Sequence, residues 1–92
     1  MKIKFSKKFK RDYKRELSGI YGKKLQSMID GFLDIIEYKL PFPYHYRDHA
    51  LTGEWNDYRD CHLKPDLVLI YRKTNDNELE LVRLGSHREL GL

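Results

Sequence analysis

Four histidines, His45, His49, His62 and His87, stand at loop or strand-end positions of a chain with few other reactive side chains. Imidazole titrates near neutrality, so two of them in one site can supply a base and an acid to a single reaction. Asp66 follows His62 across Leu63-Lys64-Pro65, and a bend at the proline would bring its carboxylate to the imidazole and stabilise the cation. Arg59 and Arg83 fall on predicted strands, and a planar guanidinium matches the oxygens of a phosphate. Parity opposes one part of this set. Arg59 and His62 are three residues apart, so on an ideal strand they point to opposite faces unless a bulge or strong twist intervenes. A zinc site is the competing chemistry: His45 and His49, spaced i to i+4, with His62 and Asp66 give four ligands of suitable type. Pro41 and Pro43 argue against it, because they deny the first pair the helix that would align them. His45 reads as an ordinary surface imidazole, and Trp55 and Tyr58 as core aromatics.

The elements that must position these groups fit one domain over residues 1–92, since so short a chain closes a single core. Ile3 and Phe5 alternate about Lys4 as a short strand, and Ser6 can cap the helix that follows. In that helix Phe9, Tyr13 and Leu17 form an apolar stripe, while Lys7, Lys8, Lys10, Arg11, Lys14 and Arg15 occupy the other face. Ser18-Gly19 and Gly22 break it. Leu25, Met28, Ile29, Phe32, Leu33 and Ile36 then make a full stripe of a second helix, giving a hairpin that ends before Pro41 and Pro43. Leu51 to Trp55 and Tyr58 to Leu63 read as short strands, and Leu67 to Tyr71, apolar on both faces, as a central one. Asn75-Asp76-Asn77 turns the chain into Glu78 to Leu84, and Ser86 caps a last turn from His87 to Leu90.

Charge is concentrated at the start. The net charge is +4, yet residues 1–24 carry ten Lys or Arg against Asp12 and Glu16, so the remainder is acidic. A local basic face points to a polyanionic partner, nucleic acid or an acidic protein segment. One cysteine excludes an internal disulfide scaffold. No apolar run is long enough to cross a bilayer, and the opening residues lack the apolar stretch of a signal peptide, so a cytoplasmic protein is expected.

The run Asp48-His49-Ala50-Leu51-Thr52-Gly53-Glu54-Trp55, then Tyr58 to Asp66, Leu69-Ile70-Tyr71 and Arg83-Leu84-Gly85-Ser86-His87 resembles the YafQ branch of the RelE/ParE toxin superfamily. The resemblance spans nearly the whole chain; its specific motifs lie in residues 48 to 90, whereas the N-terminal helices match in layout. It implies an α+β, RelE-like fold: an N-terminal strand, a helical hairpin, an antiparallel sheet of about four strands and a short C-terminal helical turn. It also implies a type II toxin that enters the ribosomal A site, cleaves mRNA and is neutralised by a cognate antitoxin, meeting DNA only through that antitoxin.

By the same resemblance, His49, His62, Asp66 and His87 fill the positions of the family's catalytic groups, and Arg59 and Arg83 those of arginines near the scissile phosphate. The implied reaction needs no metal or cofactor: a ribose 2′-hydroxyl attacks the adjacent phosphate, with His87 as acid, His49 or Asp66 as base, and His62 orienting. The basic helix would dock on ribosomal RNA through Lys7, Lys8, Lys10, Arg11, Lys14 and Arg15. Gly91 stands where relatives carry an aromatic, and Leu67 where a close relative carries tryptophan, which bears on substrate fit. Two alternatives remain: a ParE-like toxin of the same fold that inhibits DNA gyrase by binding, and a plain nucleic-acid or antitoxin-binding module.

Overall fold

The computed structural model describes residues 1–75 and 77–92. Chain order is β1 (Lys2–Phe5), α1 (Lys7–Leu17), α2 (Gly22–Glu37), a 3-10 turn (Tyr44–Tyr46), β2 (His49–Ala50), a second 3-10 turn (Gly53–Trp55), β3 (Arg59–Lys64), β4 (Leu67–Asn75), β5 (Glu78–Gly85) and α3 (His87–Leu90). The strands form one sheet in the order β1-β5-β4-β3-β2. All neighbours are antiparallel except β1, which lies parallel to β5 and makes the sheet five-stranded and mixed. The N-terminal strand is therefore part of the same sheet as the four C-terminal ones.

The α2 stripe behaves as its spacing predicts. Leu25, Ile29, Phe32 and Ile36 are buried against Leu67, Leu69, Tyr71, Leu79, Leu81 and Leu84 of the sheet. Burial of such side chains contributes about 1.5–3 kcal/mol each, so this face holds most of the core energy. The opposite face carries a smaller cluster, in which Val68 and Ile70 pack with Leu90 of α3 and with Leu51, Trp55, Tyr58 and Val82. β4 is thus buried on both sides, as a central strand should be. Ser6 caps α1 by accepting from the Phe9 amide at 2.9 Å, and its hydroxyl donates to the Val82 carbonyl at 2.7 Å, pinning the helix to β5. The hairpin needs glycine at position 22, where a Cβ would stand 2.1 Å from the Leu17 carbonyl oxygen.

Two expectations give way. Leu51 to Trp55 is not a strand: Gly53 takes φ +66 and starts a 3-10 turn, leaving only His49–Ala50 extended. On α1 the buried residues are Phe9 and Asp12, while Leu17 is 47% exposed. A carboxylate takes the inner position there because β5 runs on past the end of β1. The Leu84 amide donates to Asp12 Oδ2 at 2.9 Å, and the Leu84 carbonyl accepts from Arg15 Nη2 at 2.9 Å. Helix side chains thereby replace the missing strand partner. In the β4–β5 turn the Asn77 amide donates to Asn75 Oδ1; Asp76 lies outside the described residues.

Candidate active site

Strand alternation on β3 sorts its residues into two sets. Cys61 and Leu63 join the helix-side core, and Asp60 and His62 take the alternate positions. Across the sheet edge His49 pairs with Asp60 in register. The His49 and His62 rings lie 6.4 Å apart, and those of His62 and His87 5.1 Å apart, so three imidazoles form a row. Asp60 is 4% exposed and borders them: its Oδ1 lies 2.9 Å from His49 Nδ1 yet makes no hydrogen bond of good geometry. Burial pushes the Asp60 carboxyl up, and the neighbouring imidazoles of His49, His62 and His87 partly oppose this. Burial pushes His62 down, outweighing Asp60, which favours the neutral ring. Asp60 is a member of the site that the histidine count did not reveal; the signal was its two-residue spacing from His62 on one strand.

Both flanking histidines have a fixed tautomer. His49 Nδ1 lies 2.7 Å from the Arg47 carbonyl oxygen, which can only accept, so Nδ1 carries the hydrogen and Nε2 keeps its lone pair. Arg47 presents that carbonyl from a left-handed conformation, φ +48. His87 repeats the pattern with a carboxylate. Asp66, in the turn between β3 and β4, accepts through Oδ1 from His87 Nδ1 at 2.7 Å and from the His87 amide at 2.9 Å. These bonds hold Asp66 below the usual carboxylate range, the amide bond first. The bend at Pro65 therefore delivers Asp66 to His87 rather than to His62. Ser86 and Glu89 form a reciprocal cap at the start of α3, and Gly91, at φ +72, closes its end in a conformation that penalises other residues.

The arginines part company. Arg59 is on the helix-side face, as parity requires, and its Nε and Nη2 donate to Asp48 Oδ2 at 3.1 and 2.7 Å. No bulge brings it toward the imidazoles; the irregularity in β3 falls after His62. Arg83 pairs in register with Ile70, and its Nε donates to Asp12 Oδ2 at 2.7 Å. On α1, Lys7, Lys8, Lys10, Arg11 and Lys14 are exposed. Arg15 is exposed with them but is also engaged by Asp12, Glu16 and Glu89 at 2.9–3.0 Å. His45 lies edge-on to Tyr46, outside the row of imidazoles. Thus the zinc set of His45, His49, His62 and Asp66 does not assemble, and among the described residues no group of three or more His, Cys, Asp or Glu is arranged to hold a metal ion. Trp55 and Tyr58 pack into the smaller cluster, and Leu67 is buried in the main core.

A family model described as the bacterial toxin of type II toxin-antitoxin system, YafQ, matches residues 1–91. The chain belongs to the YafQ toxin family. A YafQ toxin of Haemophilus influenzae is 40% identical over 100% of this chain and 93% of its own length. The Escherichia coli K12 mRNA interferase toxin YafQ is 46% identical over a shorter match, 61% of this chain and 60% of its own. Among solved structures, a metal-bound toxin from Helicobacter pylori is 41% identical over 98% of both chains, with a TM-score of 0.83. YafQ in the E. coli DinJ-YafQ complex is 35% identical over 96% of this chain and 94% of that one, with a TM-score of 0.77. The α+β architecture is therefore the YafQ fold, in agreement with the resemblance drawn from residues 48 to 90.

Proposed function

We propose that this protein is a ribosome-dependent endoribonuclease that cuts mRNA in the A site by metal-independent acid–base chemistry, and that a cognate antitoxin restrains it. The observation that carries the reading is the pair of rings with matched tautomers. His49 and His87 each have Nδ1 committed to an acceptor and Nε2 left to exchange a proton. One ring takes the proton of the 2′-hydroxyl as its oxygen bonds to phosphorus. The other gives a proton to the departing 5′-oxygen as the P–O bond breaks, leaving a 2′,3′-cyclic phosphate and a 5′-hydroxyl end. Asp66 holds the His87 ring through Nδ1 with Nε2 directed outward, which suits the acid, and His49 is the base. His62 and Asp60 border the space between them, and Arg83, held through Nε and Nη2 by Asp12, is assigned to the phosphate on its match to the family pattern alone.

Family membership supports this assignment: the E. coli relative bears the name mRNA interferase, and the DinJ-YafQ complex makes an antitoxin the expected partner. No helix among the described residues is long and apolar enough to cross a membrane, which accords with action on ribosomes in the cytoplasm. The test is to incubate purified protein with translating ribosomes and map the mRNA ends. Cleavage should occur in the A site, persist with a zinc-selective chelator, and vanish in His87→Ala and His49→Ala but not in His45→Ala. Growth arrest without new mRNA ends would favour a gyrase-binding mode instead. Loss of cleavage on chelation would give the reaction to a metal.

A further inference from the structure

A long irregular segment delivers His49 to the site. Residues 38–48 contain only the 3-10 turn Tyr44–Tyr46, and β2 is the two residues His49–Ala50. A base carried on so short a strand needs anchoring from elsewhere. Asp48, the residue before it, provides the anchor. Its side chain is 9% exposed and points to the helix-covered side, where Oδ2 takes both Arg59 donors and Oδ1 accepts from the Tyr71 hydroxyl. Arg59 and Tyr71 are themselves register partners on β3 and β4, and Tyr71, 2% exposed, packs edge-on against Phe32 at 4.8 Å. The anchor therefore reaches from the core to the loop.

We infer that the Asp48–Arg59–Tyr71 clamp, together with the left-handed turn at Arg47, sets the tautomer and direction of the His49 ring, so that Arg59 is a positioning residue and not an RNA ligand. The clamp fixes Asp48, and Asp48 fixes the peptide of Arg47, whose carbonyl oxygen receives His49 Nδ1–H at 2.7 Å. Arg47 and His49 flank the clamped residue, so any slackening of Asp48 moves both ends of that hydrogen bond. A misplacement on the order of 1 Å can cost about 10²-fold in rate. The inference rests on the proposed RNA cleavage for its consequence, but not for its geometry.

Arg59→Met removes the guanidinium fork while keeping an unbranched stem, Asp48→Asn weakens the acceptor at constant size, and Arg59→Lys restores one charged donor. Two readouts separate the possibilities. Ring ¹⁵N shifts of His49 in the free protein should show the Nδ1–H tautomer in the parent, a mixture in Arg59→Met and Asp48→Asn, and partial return in Arg59→Lys. Single-turnover mRNA cleavage on saturating ribosomes should fall about 10²-fold in the first two, with ribosome affinity and its salt slope unchanged. Arg59→Met with the parental tautomer, or with a weaker affinity and a shallower salt slope, would overturn the inference and make Arg59 a phosphate ligand. A redistributed tautomer in a protein whose parent does not cleave RNA would leave the clamp standing and defeat the functional reading. Should Arg59→Met not fold, Asp48→Asn decides by the same shifts.

Discussion

Removal of the Asp12 carboxylate should destabilise the protein far more than its place on a charged helix suggests. Asp12 is 2% exposed and accepts from Arg83 Nε at 2.7 Å, Arg83 Nη2 at 3.4 Å, Arg15 Nη1 at 3.0 Å and the Leu84 amide at 2.9 Å. Breaking a buried ion pair from one side costs about 3–5 kcal/mol, and an orphaned buried amide about 1–3 kcal/mol. The two arginines retain some solvent, with side chains 19% and 40% exposed, and this discounts the first figure. Asp12→Ala should therefore lose roughly 2–4 kcal/mol, and Asp12→Asn about half of that, since its carbonyl can still accept from Leu84. Against a total of about 5–15 kcal/mol, the alanine variant is left marginal. In urea, with a slope of about 1–3 kcal/mol/M, the midpoint should drop by roughly 0.7–4 M, and the Leu84 amide should exchange faster than those of β4. An Asp12→Ala midpoint equal to the parent's would refute the claim that α1 closes the β5 edge through this group.

Asp60→Asn should abolish mRNA cleavage yet raise stability. The folded carboxyl binds its proton more tightly than the unfolded one, so the parent loses stability as pH rises from the ordinary aspartate value of about 3.8 through the raised folded value. Thermal melts should show the variant's gain above that window and none below it. Asp66 has the opposite sign: its depressed value adds stability above about 3.8 that is lost as pH falls through the folded value, and Asp66→Asn should remove this acid-side slope in melts at stepped pH. Gly22→Ala should cost roughly 1–3 kcal/mol in a denaturant titration, because its Cβ would meet the Leu17 carbonyl oxygen at 2.1 Å. Charge reversal to Glu at Lys7, Lys10 and Lys14 should weaken ribosome binding and flatten its dependence on salt while sparing the single-turnover rate; unchanged affinity at physiological salt would free this face of any ribosomal role.

Most of the fold was legible because its signals are periodic. The α2 stripe, the doubly apolar β4, the Ser6 and Ser86 caps and the glycine at the helix hairpin each have one physical reading, and the structure uses it. What escaped is what depends on long-range pairing. Nothing near Asp12 in sequence says that it caps Leu84, and without that partner a buried carboxylate on α1 looks like an error beside the more apolar Leu17. The short 3-10 turn at Gly53 competes locally with an extended reading of Leu51 to Trp55, and a single left-handed residue decides it. In the site, residue types alone singled out the histidines and Asp66, but the pairing of Asp66 with His87 and not with its nearer neighbour His62 required the C-terminal turn to fold back on the β3–β4 bend. Strand parity, by contrast, was sound: it placed Arg59 away from His62.

The parallel union of β1 with β5 also has a consequence for the order in which the molecule comes to life. Lys2 pairs with Glu78, and Ser6 donates to Val82, so the first strand finds its neighbour only after most of the sequence has been made. The helical hairpin can form from local contacts as it emerges, whereas closure of the sheet waits for the last strand. Synthesis reaches His87 later still. A nascent chain thus lacks both a finished scaffold and one of its two flanking imidazoles until β5 and α3 have been synthesised. Until then the row of three imidazoles cannot assemble.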